Sequence, residues 1–317
     1  MRVLITGAGG FVGHHLSAHL GRVQAKARLI GTTLFPSETV HQTVHEHHRI
    51  DLKAYEQVRN LLEDCIPDAI YHLAAQAFVP RSFEDPWETL ENNILAQLNI
   101  IRACLELDIQ PRILIVSSAE IYGAVAPDRL PLKEDAAIRP TNPYSVSKVA
   151  QDMLALQYYL SHDLPIMRAR PFNHIGPGQN DRFVAPAFAK QIAAIEEGAG
   201  DAVIYVGNLE AKRDFTDVRD IVRAYHMIVE GGTPGEAYNI ASGLAHSIRN
   251  LLDTLLQLSD IEIEVRVDPA RLRPVDVPEI RGDSSKLRRD TGWQPKLSFE
   301  DTLRDVLTDC RGRLKES

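Results

Sequence analysis

The sequence predicts an α/β protein built on a doubly wound parallel sheet, followed by a smaller mixed C-terminal region. Up to about residue 170, short β-branched or apolar runs alternate with longer amphipathic stretches, which is typical of βαβ units. After Pro171 this alternation stops, and loops rich in proline and glycine become frequent. We therefore expect two tightly packed regions, residues 1–170 and 171–317, with a chain that can cross back between them and a ligand cleft where they meet.

The elements of the first region alternate between short strands and longer helices. Its predicted strands are the short apolar runs Arg2–Ile5, Arg28–Thr32, Ala69–Leu73, Arg112–Ser117 and Pro165–Ala169. Its predicted helices are the amphipathic stretches Phe11–Arg22, Leu52–Cys65, Pro86–Leu107 and Tyr144–Leu160. In the second region the clearest elements are a helix at Phe183–Glu197, a strand at Val203–Val206 and a helix at Val218–Val229.

Length and charge narrow the classes of protein that this chain can form. Its 317 residues exceed the usual single core of about 100–200 residues, which agrees with two regions. The formal net charge is −8 and the basic residues are scattered, which argues against a nucleic-acid-binding face. No apolar run approaches the roughly 20 residues of a bilayer-spanning helix, and the first strand begins too early for a signal peptide. We expect a cytoplasmic protein that binds neither nucleic acids nor membranes.

Three glycines separate the first predicted strand from the first predicted helix. Gly7, Gly10 and Gly13 allow a tight turn and a close approach to a pyrophosphate, which the amides at the helix N-terminus then bind. This context predicts a Rossmann domain that holds NAD(H) or NADP(H). The candidate cofactor contacts in this turn are Gly7, Gly10, Phe11, Val12 and Gly13.

The end of the second strand bears on the choice of cofactor. An acid there would bind the ribose 2′-hydroxyl and repel a 2′-phosphate, but the chain has Gly31, Thr32 and Thr33 with no arginine directly after them. The pattern gives NADP(H) a modest preference. Thr32 is a candidate cofactor contact at this strand end. Asp51 and Leu52, which open the next predicted helix, are candidate adenine contacts, with an ordinary helix N-cap as the alternative for Asp51.

A tyrosine and a lysine four residues apart begin the helix at Tyr144–Leu160. This spacing places Tyr144 and Lys148 on one helix face, where the ammonium would favour the ionised phenol and lower its pKa. Ser118 and Glu120 follow the buried strand Arg112–Ser117 and should project into the cleft at its carboxyl end. The candidate catalytic residues are therefore Ser118, Glu120, Tyr144 and Lys148.

Together, these motifs resemble the extended short-chain dehydrogenase/reductase family, which acts on nucleotide-activated sugars, over nearly the whole chain. The resemblance implies that residues near the fourth and sixth strands surround the nicotinamide and its ribose, namely Leu73, Ala74, Ala75, Gln76, Asn93, Tyr144, Lys148 and Pro171. It also implies substrate contacts from Ser118, Asn173, Arg213 and Arg273, the two arginines gripping the phosphates. Lys190 is a further candidate for the phosphates, with a solvated helical lysine as the alternative.

Within that family, residues 171–179 and 213–220 look most like the reductases of GDP-4-keto-6-deoxy-D-mannose. The similarity implies a GDP-linked sugar substrate, with hydride transfer to its C4 carbonyl, Tyr144 protonating the alkoxide and Ser118 polarising the oxygen. GDP-mannose 4,6-dehydratases are the nearest alternative, because Ser118-Ala119-Glu120 nearly matches their Thr-x-Glu motif. A 4-epimerase ranks lower. A non-catalytic binding protein or sensor is disfavoured, because Tyr144 and Lys148 are both present.

The resemblance also implies a homodimer held by a four-helix bundle. Each subunit would contribute Pro86–Leu107 and Tyr144–Leu160, with apolar contacts from Leu154, Leu156 and Tyr158.

Four histidines crowd one short stretch, at His41, His45, His47 and His48. Their spacing matches no ordered ligand set, so a solvated loop is favoured over a metal site. The sequence predicts no metal.

Overall fold

The structure is a computed structural model that describes residues 1–271 and 277–316. The strands, in chain order, are β1 (Arg2–Thr6), β2 (Arg28–Thr33), β3 (Glu46–Arg49), β4 (Ala69–His72), β5 (Arg112–Val116), β6 (Ile166–Pro171), β7 (Asn173–Ile175), β8 (Val203–Val206), β9 (Lys212–Asp217), β10 (Ala237–Ile240), β11 (Ala245–Ser247), β12 (Glu264–Val267) and β13 (Glu279–Ile280). The α-helices are α1 (Phe11–Val23), α2 (Tyr55–Cys65), α3 (Val79–Glu84), α4 (Pro86–Glu106), α5 (Pro143–His162), α6 (Val184–Glu196), α7 (Val218–Gly231), α8 (Ile248–Leu256), α9 (Ser285–Thr291) and α10 (Phe299–Glu316). None of the helices in these residues is both long and apolar enough to cross a bilayer.

Seven parallel strands form the large sheet, in the order β10-β6-β5-β4-β1-β2-β3. The chain first moves outward from β1 to β3 and then returns to the other side of β1 with β4. The order therefore reverses between β1 and β4, as in doubly wound folds. This confirms the predicted α/β class.

The core lies on both faces of this sheet. Along β1, Val3 and Ile5 join the apolar cluster beneath α1 and α7, whereas Leu4 joins the cluster beneath α2, α4 and α5. Successive side chains of a strand point to opposite faces. A strand covered by helices on both sides must therefore be apolar throughout, which explains the unbroken apolar runs in the sequence.

The chain returns to the large sheet after the smaller region has begun. α7 packs against α1 and the sheet, and β10 pairs in parallel with β6. The smaller region contains a sheet of β11, β9 and β13, with β7 also paired to β9. A third apolar cluster lies beneath α6, α8 and α10. The paired segments β7 and β9 hold this region against the end of β6.

Two predictions about residues 41–55 were wrong. His47 and His48 lie in the edge strand β3, paired with β2, and not in a solvated loop. A four-residue edge strand with alternating exposure has too little apolar character to be recognised from its sequence. In addition, α2 begins at Tyr55, so Asp51 does not open it. The Asp51 carboxylate instead accepts a hydrogen bond from the Lys53 amide, at 2.9 Å, within the preceding turn.

A buried ion-pair network joins α5 to β6. The fully buried Asp152 accepts hydrogen bonds from Arg168 at 2.7 Å and from Arg170 at 2.8 and 2.9 Å. Burial alone would raise the pKa of this carboxyl, but the hydrogen bonds and charges of the two guanidinium groups outweigh it, and the pKa is lowered. The network therefore fixes α5, which carries Tyr144 and Lys148, against the sheet.

We expect Asp152→Asn to destabilise the protein strongly, because it leaves two buried guanidinium groups without a counter-charge. The cost of breaking a buried pair in this way is about 3–5 kcal/mol, to be measured by denaturant unfolding. The matched control is Glu264→Gln, which breaks the exposed pair with Arg266 and should leave the unfolding midpoint almost unchanged. Equal midpoints for the two variants would contradict this account.

Candidate active site

A cleft lies at the edge of the large sheet where the parallel strands end. It comprises two adjoining cavities that share Gly7, Gly10, Leu73 and Ala75, residues that follow β1 and β4. In doubly wound sheets, ligands bind at this edge beside the reversal of strand order. We call the cavity that contains Tyr144 the catalytic cavity and the one beside the end of β2 the β2 cavity.

The glycine turn after β1 is fitted closely to its surroundings. Gly7 has a φ of +70°, and a Cβ atom there would lie 3.0 Å from the backbone of Ala74. A Cβ atom at Gly13 would lie 2.3 Å from the carbonyl oxygen of Gly7, so only glycine lets α1 start so close to β1. The residues from Gly10 to Gly13 line the catalytic cavity. The turn therefore fits a pyrophosphate bound at the N-terminus of α1.

A capping box fixes the start of α5. The Ser145 amide donates to the Asn142 side chain at 2.7 Å, and the Asn142 amide donates to the Ser145 hydroxyl at 3.1 Å. Tyr144 and Lys148 then fall on the first turns of the helix, 9% and 4% exposed. The Lys148 ammonium donates to the carbonyl oxygen of Val116, the last residue of β5, at 2.8 Å. Both predicted residues line the catalytic cavity.

The protonation of this pair differs from what the sequence led us to expect. Burial raises the pKa of Tyr144 to about 12, a hydrogen bond with Ser118 opposes the rise, and Glu120 adds to it. Burial lowers the pKa of Lys148 to about 7. The expected lowering of the tyrosine pKa by lysine was wrong for the protein alone, because desolvation dominates at both groups. Tyr144 therefore keeps its proton at neutral pH, as a proton donor must.

Ser118 and Glu120 enter the catalytic cavity from the end of β5, as predicted from their place after the strand. The Ser118 hydroxyl accepts a hydrogen bond from the Glu120 amide at 3.1 Å and caps a short turn at residues 119–122. The Glu120 carboxylate accepts a hydrogen bond from the Asn142 side chain at 3.3 Å. The end of β5 and the start of α5 thus place a hydroxyl, a carboxylate, a phenol and an amine around one space.

Asn93, predicted to contact the cofactor, is fully buried and lines neither cavity in the described part of the chain. It accepts a hydrogen bond from the Gln76 amide at 2.7 Å, and its side chain donates to the Ser147 hydroxyl at 2.9 Å. Asn93 therefore joins the loop after β4 to α5. Its contribution to the site is the position of Gln76 and of the helix that carries Tyr144.

The remaining candidates divide according to the cavity that they line. Pro171 and Asn173 line the catalytic cavity with Phe11 and Val12. The β2 cavity is lined by the other predicted cofactor contacts, which are Thr32, Asp51, Leu52, Ala74 and Gln76.

In the described residues, the predicted phosphate contacts do not line either cavity. Lys190 is exposed on α6 and pairs with Asp181 at 2.5 Å, away from both cavities. Arg213 on β9 donates to the carbonyl oxygen of Val277 at 2.7 Å, and it too is absent from the walls of the two cavities as far as the structure describes them. Arg273 lies outside the described residues.

Several residues that the sequence analysis did not select also line the catalytic cavity. His174 stacks on the Phe11 ring at 6.3 Å between centroids, and burial lowers its pKa. Gln179 donates to the His174 carbonyl oxygen at 3.1 Å. Both follow Asn173 in the segment after β6, so their position at a strand end was the available signal. Tyr225 reaches the cavity from α7, and no local pattern indicated this.

The four histidines at positions 41, 45, 47 and 48 were the residues that invited a metal interpretation. Within residues 1–271 and 277–316, no three histidine, cysteine, aspartate or glutamate side chains are grouped so that they could hold a metal ion. All four crowded histidines have protein partners. His47 bonds the Thr33 hydroxyl at 2.7 Å, and His45 accepts from the Leu29 amide at 3.1 Å. His41 bonds the Thr43 hydroxyl at 2.9 Å, and His48 lies 3.8 Å from the Glu46 carboxylate.

The doubly wound sheet, the glycine turn and the buried Tyr144–Lys148 pair define a nicotinamide-dinucleotide-dependent enzyme of the short-chain dehydrogenase/reductase class. More particularly, the chain belongs to the GDP-mannose 4,6-dehydratase family, which matches residues 4–306. This confirms the resemblance that the motifs indicated.

Known proteins agree with this placement over the full length of the chain. GDP-6-deoxy-D-mannose reductase from Pseudomonas aeruginosa is 37% identical over 315 residues, which cover 99% of each chain. A solved structure of RMD from Pseudomonas aeruginosa complexed with NADPH superimposes with a TM-score of 0.88, at 36% identity, and covers 98% of this chain and 99% of that one. UDP-glucose 4-epimerase from Thermus thermophilus, complexed with NAD, gives a TM-score of 0.87 at 28% identity, with 98% and 99% covered.

Lys148 should take up a proton when the dinucleotide binds above pH 7. In the free protein its pKa is about 7, so the amine is mostly neutral at pH 8, and an anionic ligand beside it favours the charged form. Calorimetric titrations with NADH at pH 8, in buffers of different ionisation enthalpy, should show proton uptake, and affinity should fall as pH rises from about 7 to 9. Lys148→Met should lose both effects.

The control is Lys190→Met, which removes an exposed lysine away from the cavities and should behave as the wild type does. Equal proton uptake by the wild type and Lys148→Met would show that another group titrates.

Proposed function

We propose that this protein reduces the C4 keto group of GDP-4-keto-6-deoxy-D-mannose with a reduced nicotinamide dinucleotide. The observation that carries the proposal is the buried, protonated Tyr144 beside Ser118, in the same cavity as the glycine turn. The name of the Pseudomonas aeruginosa GDP-6-deoxy-D-mannose reductase supports a GDP-linked 6-deoxy sugar, and the keto group at C4 is what the family resemblance implies. The smaller region lines this cavity through Gln179, Phe183 and Ile280 and would bind the sugar nucleotide.

Each residue has a defined part in this reaction. When bound, the nicotinamide ring supplies the hydride that reduces C4. Ser118 donates a hydrogen bond to the carbonyl oxygen, and Tyr144 transfers its proton to that oxygen as negative charge develops. Lys148 holds the nicotinamide ribose, and its ammonium stabilises the phenolate that Tyr144 leaves behind.

Glu120 favours a second candidate function, that of a GDP-mannose 4,6-dehydratase. Dehydration needs a base near C5 of the sugar, and the Glu120 carboxylate lines the catalytic cavity directly after Ser118. One oxygen of this carboxylate already accepts a hydrogen bond from Asn142, which ties it to the wall of the cavity. The reductase relative, 37% identical over 99% of each chain, favours reduction as the first candidate.

A single pair of incubations separates the two functions. The enzyme is given GDP-mannose alone, or enzymatically prepared GDP-4-keto-6-deoxy-D-mannose with NADH or NADPH, and absorbance at 340 nm and the sugar product are followed. Stoichiometric loss of reduced cofactor with the keto sugar supports the reductase. Conversion of GDP-mannose without net change in cofactor would instead establish the dehydratase and assign Glu120 as its base.

Tyr144→Phe should lower kcat by about 10²–10⁴-fold, because the variant has no proton to give to the developing alkoxide. Dinucleotide binding, measured by fluorescence titration, should stay close to that of the wild type, since the hydroxyl alone is removed. Tyr158→Phe is the control, because Tyr158 lies further along the same helix and stacks on His162. A near-normal rate for Tyr144→Phe would refute the assignment.

The surface of α5 supports the homodimer that the family resemblance implies. Val146, Met153 and Leu160 recur every seven residues on one stripe of the helix and are 44%, 37% and 70% exposed. Trp87 and Leu95 add exposed apolar surface on α4, which packs beside α5. Exposed apolar side chains gathered on two neighbouring helices are typical of a protein interface. Leu154, Leu156 and Tyr158, the expected contacts, are half-buried and would lie at its edge.

The double variant Met153→Glu and Leu160→Glu should be monomeric in sedimentation velocity, because two acids on the two-fold-related helices repel one another. Wild-type protein should sediment as a dimer at micromolar concentration. The control is Gln157→Glu with Ser161→Glu, which adds the same charge to more polar positions of α5. A monomeric wild type would remove the basis for the bundle.

A further inference from the structure

The β2 cavity has an uncharged strand end. Thr33 is the last residue of β2 and stands about 20 residues after Gly13, the place where an acid contacts the ribose in many dinucleotide-binding domains. Its hydroxyl bonds the His47 ring at 2.7 Å. The strand itself therefore brings no carboxylate to the cavity.

A carboxylate reaches this cavity from the following loop. Oε2 of Glu38 accepts hydrogen bonds from the amides of Leu34 and Phe35, each at 2.8 Å, and all three residues line the β2 cavity. These are the first two amides after β2. Because both bonds use Oε2, Oε1 is the oxygen that can accept a hydrogen bond from a ligand.

The loop that carries Glu38 is fastened to the cofactor-binding turn. The His14 ring bonds the carbonyl oxygen of Thr39 at 2.9 Å, and the Thr43 hydroxyl donates to the carbonyl oxygen of Ser17 at 2.8 Å. A Cβ atom on Gly9 would lie 3.0 Å from the Cβ of Glu38. The carboxylate is therefore held beside the glycine turn by contacts of α1 with Thr39 and Thr43, the residues that follow Glu38 in the loop.

Among the described residues, the charged side chains that line the β2 cavity are all acidic. Asp51 and Glu88 line it together with Glu38, and within the described residues no lysine or arginine does. A 2′-phosphate carries between one and two negative charges near pH 7 and needs several hydrogen-bond donors. Here its charge would meet three carboxylates, and the two amides best placed to bind it already bond Glu38. A ribose 2′-hydroxyl meets no such cost and can donate to the carboxylate.

We infer that Glu38 selects NAD(H) over NADP(H), by accepting a hydrogen bond from the 2′-hydroxyl and by denying a 2′-phosphate its amide donors. The inference rests on the proposed function, since it takes the β2 cavity as the adenosine end of the dinucleotide site. It reverses the modest preference for NADP(H) that the uncharged end of β2 suggests. The relevant acid is not in the strand but five residues beyond it.

The test compares the dissociation constants of NADH and NADPH by fluorescence titration, and kcat/KM for each with the keto sugar. Wild-type protein should bind NADH at least about tenfold more tightly than NADPH. Glu38→Gln should lose most of this ratio by gaining NADPH affinity, because its side-chain oxygen can still accept from the two amides while the charge is gone. Glu38→Arg should reverse the ratio.

Glu88→Gln is the matched control, because it removes an acid from the same cavity without touching the amides of Leu34 and Phe35. It should change the ratio by less than Glu38→Gln does. Turnover with NADPH equal to or better than with NADH in the wild type would overturn the role of Glu38 and leave the proposed reductase intact. Failure to bind either dinucleotide would overturn both.

Discussion

The chemistry depends on one contact, the hydrogen bond from the buried Lys148 ammonium to the last carbonyl of β5. That bond joins the first turns of α5, which carry Tyr144, to the end of β5, which Ser118 follows. Two further features hold α5 in the position that this contact needs. They are the capping box that starts the helix and the buried ion pairs of Asp152 further along it. Burying Lys148 and Asp152 costs free energy unless each has hydrogen-bond partners in the folded protein.

The same burial explains why the site favours proton donation before any ligand arrives. In water, a lysine beside a tyrosine favours the phenolate; in this cavity the loss of water acts in the opposite direction on both groups. The phenol keeps its proton and the amine is close to neutral. Charge then enters with the anionic ligands, so that the ammonium is fully formed only in the loaded site, where it can stabilise the phenolate left after the transfer.

Local patterns sufficed for the parts of the site that rest on regular elements. The glycine turn, the end of β5 and the Tyr144–Lys148 spacing are fixed by the geometry of a strand or a helix, so short motifs reveal them. Glu38, Tyr225 and the edge strand β3 depend on how distant segments meet, which no local pattern encodes. The basic residues were the least predictable, because a lysine or arginine such as Lys190 or Arg213 finds a protein partner as readily as a phosphate.

The two ends of the cleft differ in the elements that position their side chains. At the catalytic end, a shift of α5 would misplace Tyr144 and Lys148 together and would break the hydrogen bond from Asn93 on α4 to Ser147. At the proposed adenosine end, the Glu38 carboxylate belongs to a loop that contacts the glycine turn at Gly9 and α1 at His14 and Ser17. A change in that loop can alter which dinucleotide binds without moving any reacting group. Relatives with the same chemistry can thus differ in cofactor, and the choice must be argued separately for each chain from the residues that surround the ribose.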